Sequence, residues 1–118
     1  FITKNQKEVK VPLNLSICKV TDISDTTIES IFVDEMKLEF PLVLRRWKEA
    51  DSFQPFGMKG KSKKVSKFFK DEKLSLIEKE KTWLLCSNNQ IVWIVGMRQD
   101  ERFKIDETTK KILKITVV

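Results

Sequence analysis

The chain of 118 residues contains no histidine. Histidine is the usual general base near neutral pH, so its absence excludes Ser–His and Cys–His nucleophile pairs within this chain. Carboxylate or lysine chemistry stays formally open, but no spacing singles out such a pair. Cysteine is almost as scarce: Cys18 and Cys86 stand alone, without CxxC spacing. With no imidazole to join them, the sequence offers no basis for a zinc site or a redox motif. Both thiols are expected to be reduced and buried, as in a cytoplasmic protein. Long apolar runs are lacking too. The longest, Ile91 to Met97, is interrupted only by Gly96 and is far too short to span a bilayer, so no membrane partner is expected. Glycine occurs three times, at Gly57, Gly60 and Gly96. No signal-peptide pattern opens the chain, and a start at Phe1 rather than Met suggests a piece cut from something longer.

What the sequence does have is lysine, in one place. The net charge is +6. Residues 1–44 are net negative, with five basic and seven acidic side chains. Residues 45–81 carry twelve basic against six acidic. Between Gly57 and Lys70 there are six lysines and no acid. A basic block confined to one region is the electrostatic footprint of a phosphate-binding surface. A solvated lysine-rich face would leave the same mark. The 41% of apolar residues suffice for one modest core, so residues 1–118 are read as a single domain: a strand-rich lead-in over 1–40, then 41–118.

Alternating apolar positions predict a half-buried strand over residues 12–21, and Asp22 to Thr27 is a polar turn cluster. Further strands are expected at Ile28–Val33 and Leu38–Trp47, the latter interrupted by Pro41. Residues 48–62 look irregular. Val65, Phe68 and Phe69 form one stripe of a helix over Lys63–Lys73, with Ser62 in the N-cap position. Leu74–Lys81 suits a second short helix. Trp83–Cys86 and Ile91–Val95 flank Ser87 to Gln90 as a hairpin. Lys110–Val118 closes the chain as a strand. Strands, then one or two helices, then strands make an α+β fold.

Three segments carry a family resemblance. The first runs from Pro41-Leu42-Val43-Leu44-Arg45-Arg46-Trp47 through Asp51-Ser52-Phe53-Gln54-Pro55-Phe56-Gly57-Met58-Lys59-Gly60. The second is Lys63-Lys64-Val65-Ser66-Lys67-Phe68-Phe69. The third joins Ile91-Val92-Trp93-Ile94-Val95-Gly96-Met97-Arg98 to Asp100-Glu101-Arg102-Phe103. In order and spacing they resemble the C-terminal substrate-binding domain of bacterial tRNA(Ile)-lysidine synthetases. Ala50 replaces a glycine usual in that family, and Leu74–Lys79 lacks its usual Pro and Trp-Glu-Arg pattern. The resemblance implies a β-sheet sandwich with short helices, similar to a domain of the phenylalanyl-tRNA synthetase β-chain. It also implies membership of an ATP-dependent ligase that attaches lysine to the wobble cytidine of tRNA(Ile). The chemistry, with ATP and magnesium, belongs to an N-terminal adenylating domain carrying a Ser-Gly-Gly-x-Asp-Ser loop. No such loop occurs here, so no cofactor is expected in this chain. The implied partners are tRNA(Ile), on its acceptor-stem side, and that adenylating domain; a homodimer of the whole enzyme stays open.

Candidate RNA contacts follow from residue type and position. Gly57 and Gly60 allow close backbone approach to a phosphate, with Lys59, Lys61, Lys63 and Lys64 supplying charge up to the helix start. The alternative is a glycine turn with lysines in solvent. Arg45 and Arg46, as neighbours on a strand, point to opposite faces, so at most one faces RNA, and the other is expected to pair with an acid such as Asp51. Arg98 and Arg102 lie on one face with Asp100, suiting either an internal network or tRNA contact. Phe53, Phe56, Phe68 and Phe69 are expected in the core, as are Trp47, Trp83 and Trp93. The sequence therefore reads as a non-catalytic tRNA-binding module. A basic protein-interaction or dimerisation domain binding an acidic partner is the alternative, and an independent enzyme ranks third.

Overall fold

The computed structural model describes residues 1–21, 23 and 29–118. Two four-stranded antiparallel sheets carry the fold. The first contains β1 (Glu8–Val9), β2 (Leu15–Val20), β3 (Ser30–Asp34) and β10 (Ile112–Val117), in the order β1-β2-β10-β3. Its register sets Ile115 opposite both Ile17 and Ile31. The period-two alternation turns Leu15, Ile17, Ile31, Val33, Leu113 and Ile115 to one buried face.

The second sheet contains β4 (Val43–Arg45), β7 (Leu84–Ser87), β8 (Gln90–Ile94) and β9 (Arg98–Gln99), in the order β4-β7-β8-β9. Apolar residues run almost continuously along β7 and β8 because both faces of this sheet are covered. Leu85, Val92 and Trp93 meet the first sheet, while Leu84, Cys86, Ile91 and Ile94 join Phe53, Val65, Phe68 and Phe69 in a second cluster. A register shift between Leu85 and Cys86 leaves Val92 without an opposite residue. This bulge lets Val92 and Trp93 both face the first core. Asn88 and Asn89 close the β7–β8 hairpin at φ 45° and 64°, the left-handed pair that a two-residue turn requires.

The helical layer consists of α1 (Val65–Asp71) and α2 (Leu76–Lys81). In α1, Val65, Phe68 and Phe69 are buried as the spacing predicts. Phe69 meets Trp47 edge-on at 5.2 Å, and Phe53 meets Phe68 at 5.4 Å. A capping box between Ser75 and Glu78 starts α2, which buries none of its residues. A two-stranded ribbon, β5 (Ser52–Phe53) and β6 (Lys63–Lys64), feeds α1. The fold is thus α+β, as expected.

Several boundaries differ from the sequence reading. Ser62 is not the N-cap: Lys63 and Lys64 are extended in β6, so Lys64 takes that position, with no side-chain cap. Within Leu38–Trp47 only Val43–Arg45 is a strand, because Glu35–Lys37 is a 3₁₀ turn and Pro41 has no N–H to offer a ladder. Most of the turn cluster expected at Asp22–Thr27, together with Ile28, lies outside the described residues. Cys18 is exposed, not buried, since Leu15 and Ile17 occupy the inward positions of β2. Only Cys86 is buried, and that burial pushes its thiol up.

Candidate nucleic-acid interface

The lysine loop is anchored at its base. Asp100, fully buried, accepts the Gln54 N–H at 2.8 Å, and the Glu101 N–H returns to the Gln54 carbonyl at 2.7 Å. The Phe56 N–H donates to the Gln99 carbonyl, and the Gly57 N–H donates to Glu101 Oε2, both at 2.9 Å. The Lys104 ammonium, followed by the Gly57 N–H, holds the Glu101 carboxyl below its ordinary range. Beyond this anchor the chain makes two tight turns, Met58 N–H to Pro55 O and Lys61 N–H to Met58 O, both 3.1 Å. Gly57 at φ 92°, and Lys59 with Gly60 at φ 53° and 83°, supply the left-handed corners. The N–H groups of Lys59 and Gly60 donate to no described residue.

The eight cationic side chains expected to meet RNA divide into two groups. Lys59, Lys61 and Lys64 are exposed and form no ion pair with any described residue. The others have local partners. Lys63 pairs with Asp71 at 2.6 Å and lies 5.8 Å from the Phe68 ring, leaving its side chain only 18% exposed. Arg45 grips both oxygens of Asp51 at 2.8 Å. Burial pushes the Asp51 carboxyl up, but the Arg45 guanidinium and the Lys48 N–H bring it below its usual value. Arg45, therefore, is the member of the Arg45/Arg46 pair that takes the acid. Arg46 is exposed beyond the end of β4; its guanidinium lies 3.9 Å from the Trp83 ring centroid and donates to the Glu80 carbonyl. Arg102 holds Asp100 through Nε at 3.0 Å and Nη2 at 2.9 Å. Arg98 lies outside that pair, half-buried 5.7 Å from the Phe68 ring.

The loop also differs from expectation in two ways. It does not run directly into a helix N-terminus: β6 intervenes, and the first N–H of α1, from Val65, donates to the Asp51 carbonyl at 3.0 Å. Phe56 is not a core residue, being 48% exposed. It occupies the outer corner of the first turn, with Lys104 Nζ 5.8 Å from its ring. The neighbouring Pro-x-Gly punctuation was the available signal that this side chain points outward. Lys67 and Lys70, outside the residues expected to meet RNA, extend the exposed cations along α1. Among the described residues no three acidic or thiol side chains converge on a cation-sized site.

Comparison with known proteins gives a consistent result. Residues 42–116 match the family model described as the TilS substrate C-terminal domain. A tRNA(Ile)-lysidine synthase of Parabacteroides distasonis is 55% identical over 106 residues, covering 86% of this chain and 24% of that protein. One from Bacteroides thetaiotaomicron is 43% identical over 90 residues, covering 76% and 21%. The chain thus spans about a quarter of the length of these curated relatives. A crystal structure of a TilS C-terminal domain superposes with a TM-score of 0.73 at 17% identity, covering 89% of this chain and 84% of the other. That likeness concerns the fold.

Proposed function

The chain belongs to the TilS substrate C-terminal domain family, and on that premise we propose that it holds tRNA(Ile) for chemistry performed elsewhere in a longer polypeptide. The whole protein, in this reading, is a cytoplasmic ATP-dependent ligase that joins lysine to the wobble cytidine. ATP and magnesium belong to its N-terminal adenylating domain, and this chain contacts the acceptor-stem side.

The observation that supports RNA contact is the outward loop of residues 57–64. Three lysines and two N–H groups, without partners among the described residues, lie together on a turn that Asp100 and Glu101 hold in place. Phosphates are satisfied by that combination of mobile charge and fixed backbone donors. An A-form stem is read through its backbone rather than its base edges, so no base-specific side chain is required there. Arg46, already stacked on Trp83, and the exposed Phe56 add planar groups that an unpaired base can cover.

Filter binding of a tRNA(Ile) transcript across a salt series tests this. Lys59→Ala, Lys61→Ala and Lys64→Ala should each flatten the slope of log affinity against log salt by about 0.7–0.9 per phosphate lost. Arg45→Ala and Arg102→Ala should act mainly through stability. Weak binding by the unaltered chain, or an unchanged slope in all three lysine variants, would overturn the proposal. Tight binding to an acidic protein instead would favour an interaction domain.

A further inference from the structure

A second site lies away from the lysine loop. A cavity of about 580 Å³ opens against the first sheet, walled by Ile17, Leu113, Phe40 and Leu42. That volume suits a small organic ligand rather than a lone ion. Its wall also contains Glu35, which is 5% exposed and whose Oε1 has no hydrogen-bond partner among the described residues. Buried carboxylates are normally paired, because an unmet charge in an apolar wall is costly. The nearest lysine on its own turn is already engaged: Lys37 donates to Asp106 and to the Lys104 carbonyl, both at 2.8 Å. Lys7 and Lys19 also line the cavity, yet neither pairs with Glu35.

The lining therefore asks for three things in one molecule: an N–H donor for the carboxylate, an apolar body, and an anionic group for the two lysines. A simple amine fails on the third count, since the lysines repel it. A metal ion fails for want of further ligands among the described residues. A nucleotide supplies all three, because carboxylates accept from the exocyclic amino groups of bases. We propose that this cavity binds one nucleotide, its base amino group donating to Glu35, its ring against Phe40 and Leu42, and its phosphate at Lys7 and Lys19. The chemistry is shared by a free mononucleotide and by an unpaired nucleotide of an RNA strand. Uracil has no exocyclic amino group and offers only its N3–H, flanked by two carbonyls that the carboxylate repels, so it should bind more weakly than the other three bases.

The test titrates the purified chain with AMP, GMP, CMP and UMP by isothermal titration calorimetry, in wild type and in Glu35→Met. Adenosine, short single-stranded RNA and a duplex stem are run in parallel. The purine and cytidine nucleotides should bind saturably, and UMP more weakly. Glu35→Met should weaken that binding by about ten-fold or more, the loss of a hydrogen bond to a charged acceptor. It should also raise the melting temperature, because an unpartnered buried carboxylate has been removed. Lys7→Ala and Lys19→Ala, both on the surface, should weaken AMP about two- to five-fold and leave adenosine unchanged. Glu35-dependent binding of short RNA but of no mononucleotide would assign the site to a strand; Glu35-dependent binding of both would assign it to the free ligand as well. Equal affinity for UMP, wild-type affinity in Glu35→Met, or no binding of any of these ligands would overturn the proposal. Loss of duplex binding with Glu35-dependent nucleotide binding intact would instead sink the tRNA-stem reading and leave this site standing.

Discussion

The frame beneath the lysine loop and the loop itself use positive charge in opposite ways. In the frame, Arg45 and Arg102 each hold one aspartate through two nitrogens, and Asp100 is fully buried. On the loop, Lys59, Lys61 and Lys64 meet no described acid. Arginine's planar fork suits fixed bidentate pairs, while the lysine ammonium is a mobile point charge. The net charge of +6 therefore says little until the cations are sorted by what holds them.

Breaking the frame should have the largest effect. Asp100→Ala removes the acceptor for the Arg102 guanidinium, for the Gln54 N–H and for the Arg102 N–H in the 101–103 turn. It should cost about 3–5 kcal/mol, as for a broken buried ion pair. Urea denaturation measures this, and a loss below 1 kcal/mol would show that the frame does not depend on it. Phe69→Ala, beneath α1 and against Trp47, should cost a comparable amount, about 3–5 kcal/mol. The fraction that remains folded should bind tRNA normally; unchanged melting with weakened binding would reassign Phe69 to stacking.

A smaller effect distinguishes the two uses of charge by pH. The folded carboxyl of Asp51 lies below its ordinary value of 3.8. Its contribution is therefore fully present above that value and is lost as pH falls through the folded one. Melting temperature should fall as pH drops below about 4, and Asp51→Asn should make that fall shallower. An identical acid limb in both proteins would disprove the role of the Arg45 pair. The smallest effect sharpens the boundary between frame and loop. Lys63→Ala should alter stability through the loss of Asp71 and change the salt slope of tRNA binding less than Lys59→Ala does. Equal slope changes would place Lys63 with the free cations.

The hairpin was the most legible element, because Asn88-Asn89 between two apolar runs encodes both turn and strands locally. Strands β2 and β10 were legible through alternation, and that same alternation already turns Cys18 outward once Leu15 and Ile17 are placed inward. The Val65, Phe68 and Phe69 stripe was readable as a helix, but its start was not. Ser62 has the chemistry of a cap, yet the pairing of Lys63 and Lys64 with Ser52 and Phe53 extends the chain past it. That pairing is long-range and leaves no periodic mark. For the site, the lysines themselves were visible in the sequence. Which cations are spent on carboxylates depends on distances that only the folded chain sets, as Arg45 with Asp51 and Lys63 with Asp71 show.

The placement of β10 between β2 and β3 has a consequence for how the protein is made. About eighty residues separate β3 from β10, so the two earlier strands leave the ribosome long before the strand that joins them. At ordinary synthesis rates the wait is on the order of ten seconds. Throughout it, β2 and β3 each present an unpaired edge backed by apolar Ile17, Ile31 and Val33. In the second sheet the β7–β8 hairpin forms locally, and the wait of β4 for β7 is about half as long. Newly made chains are thus most exposed to wrong strand partners in the first sheet.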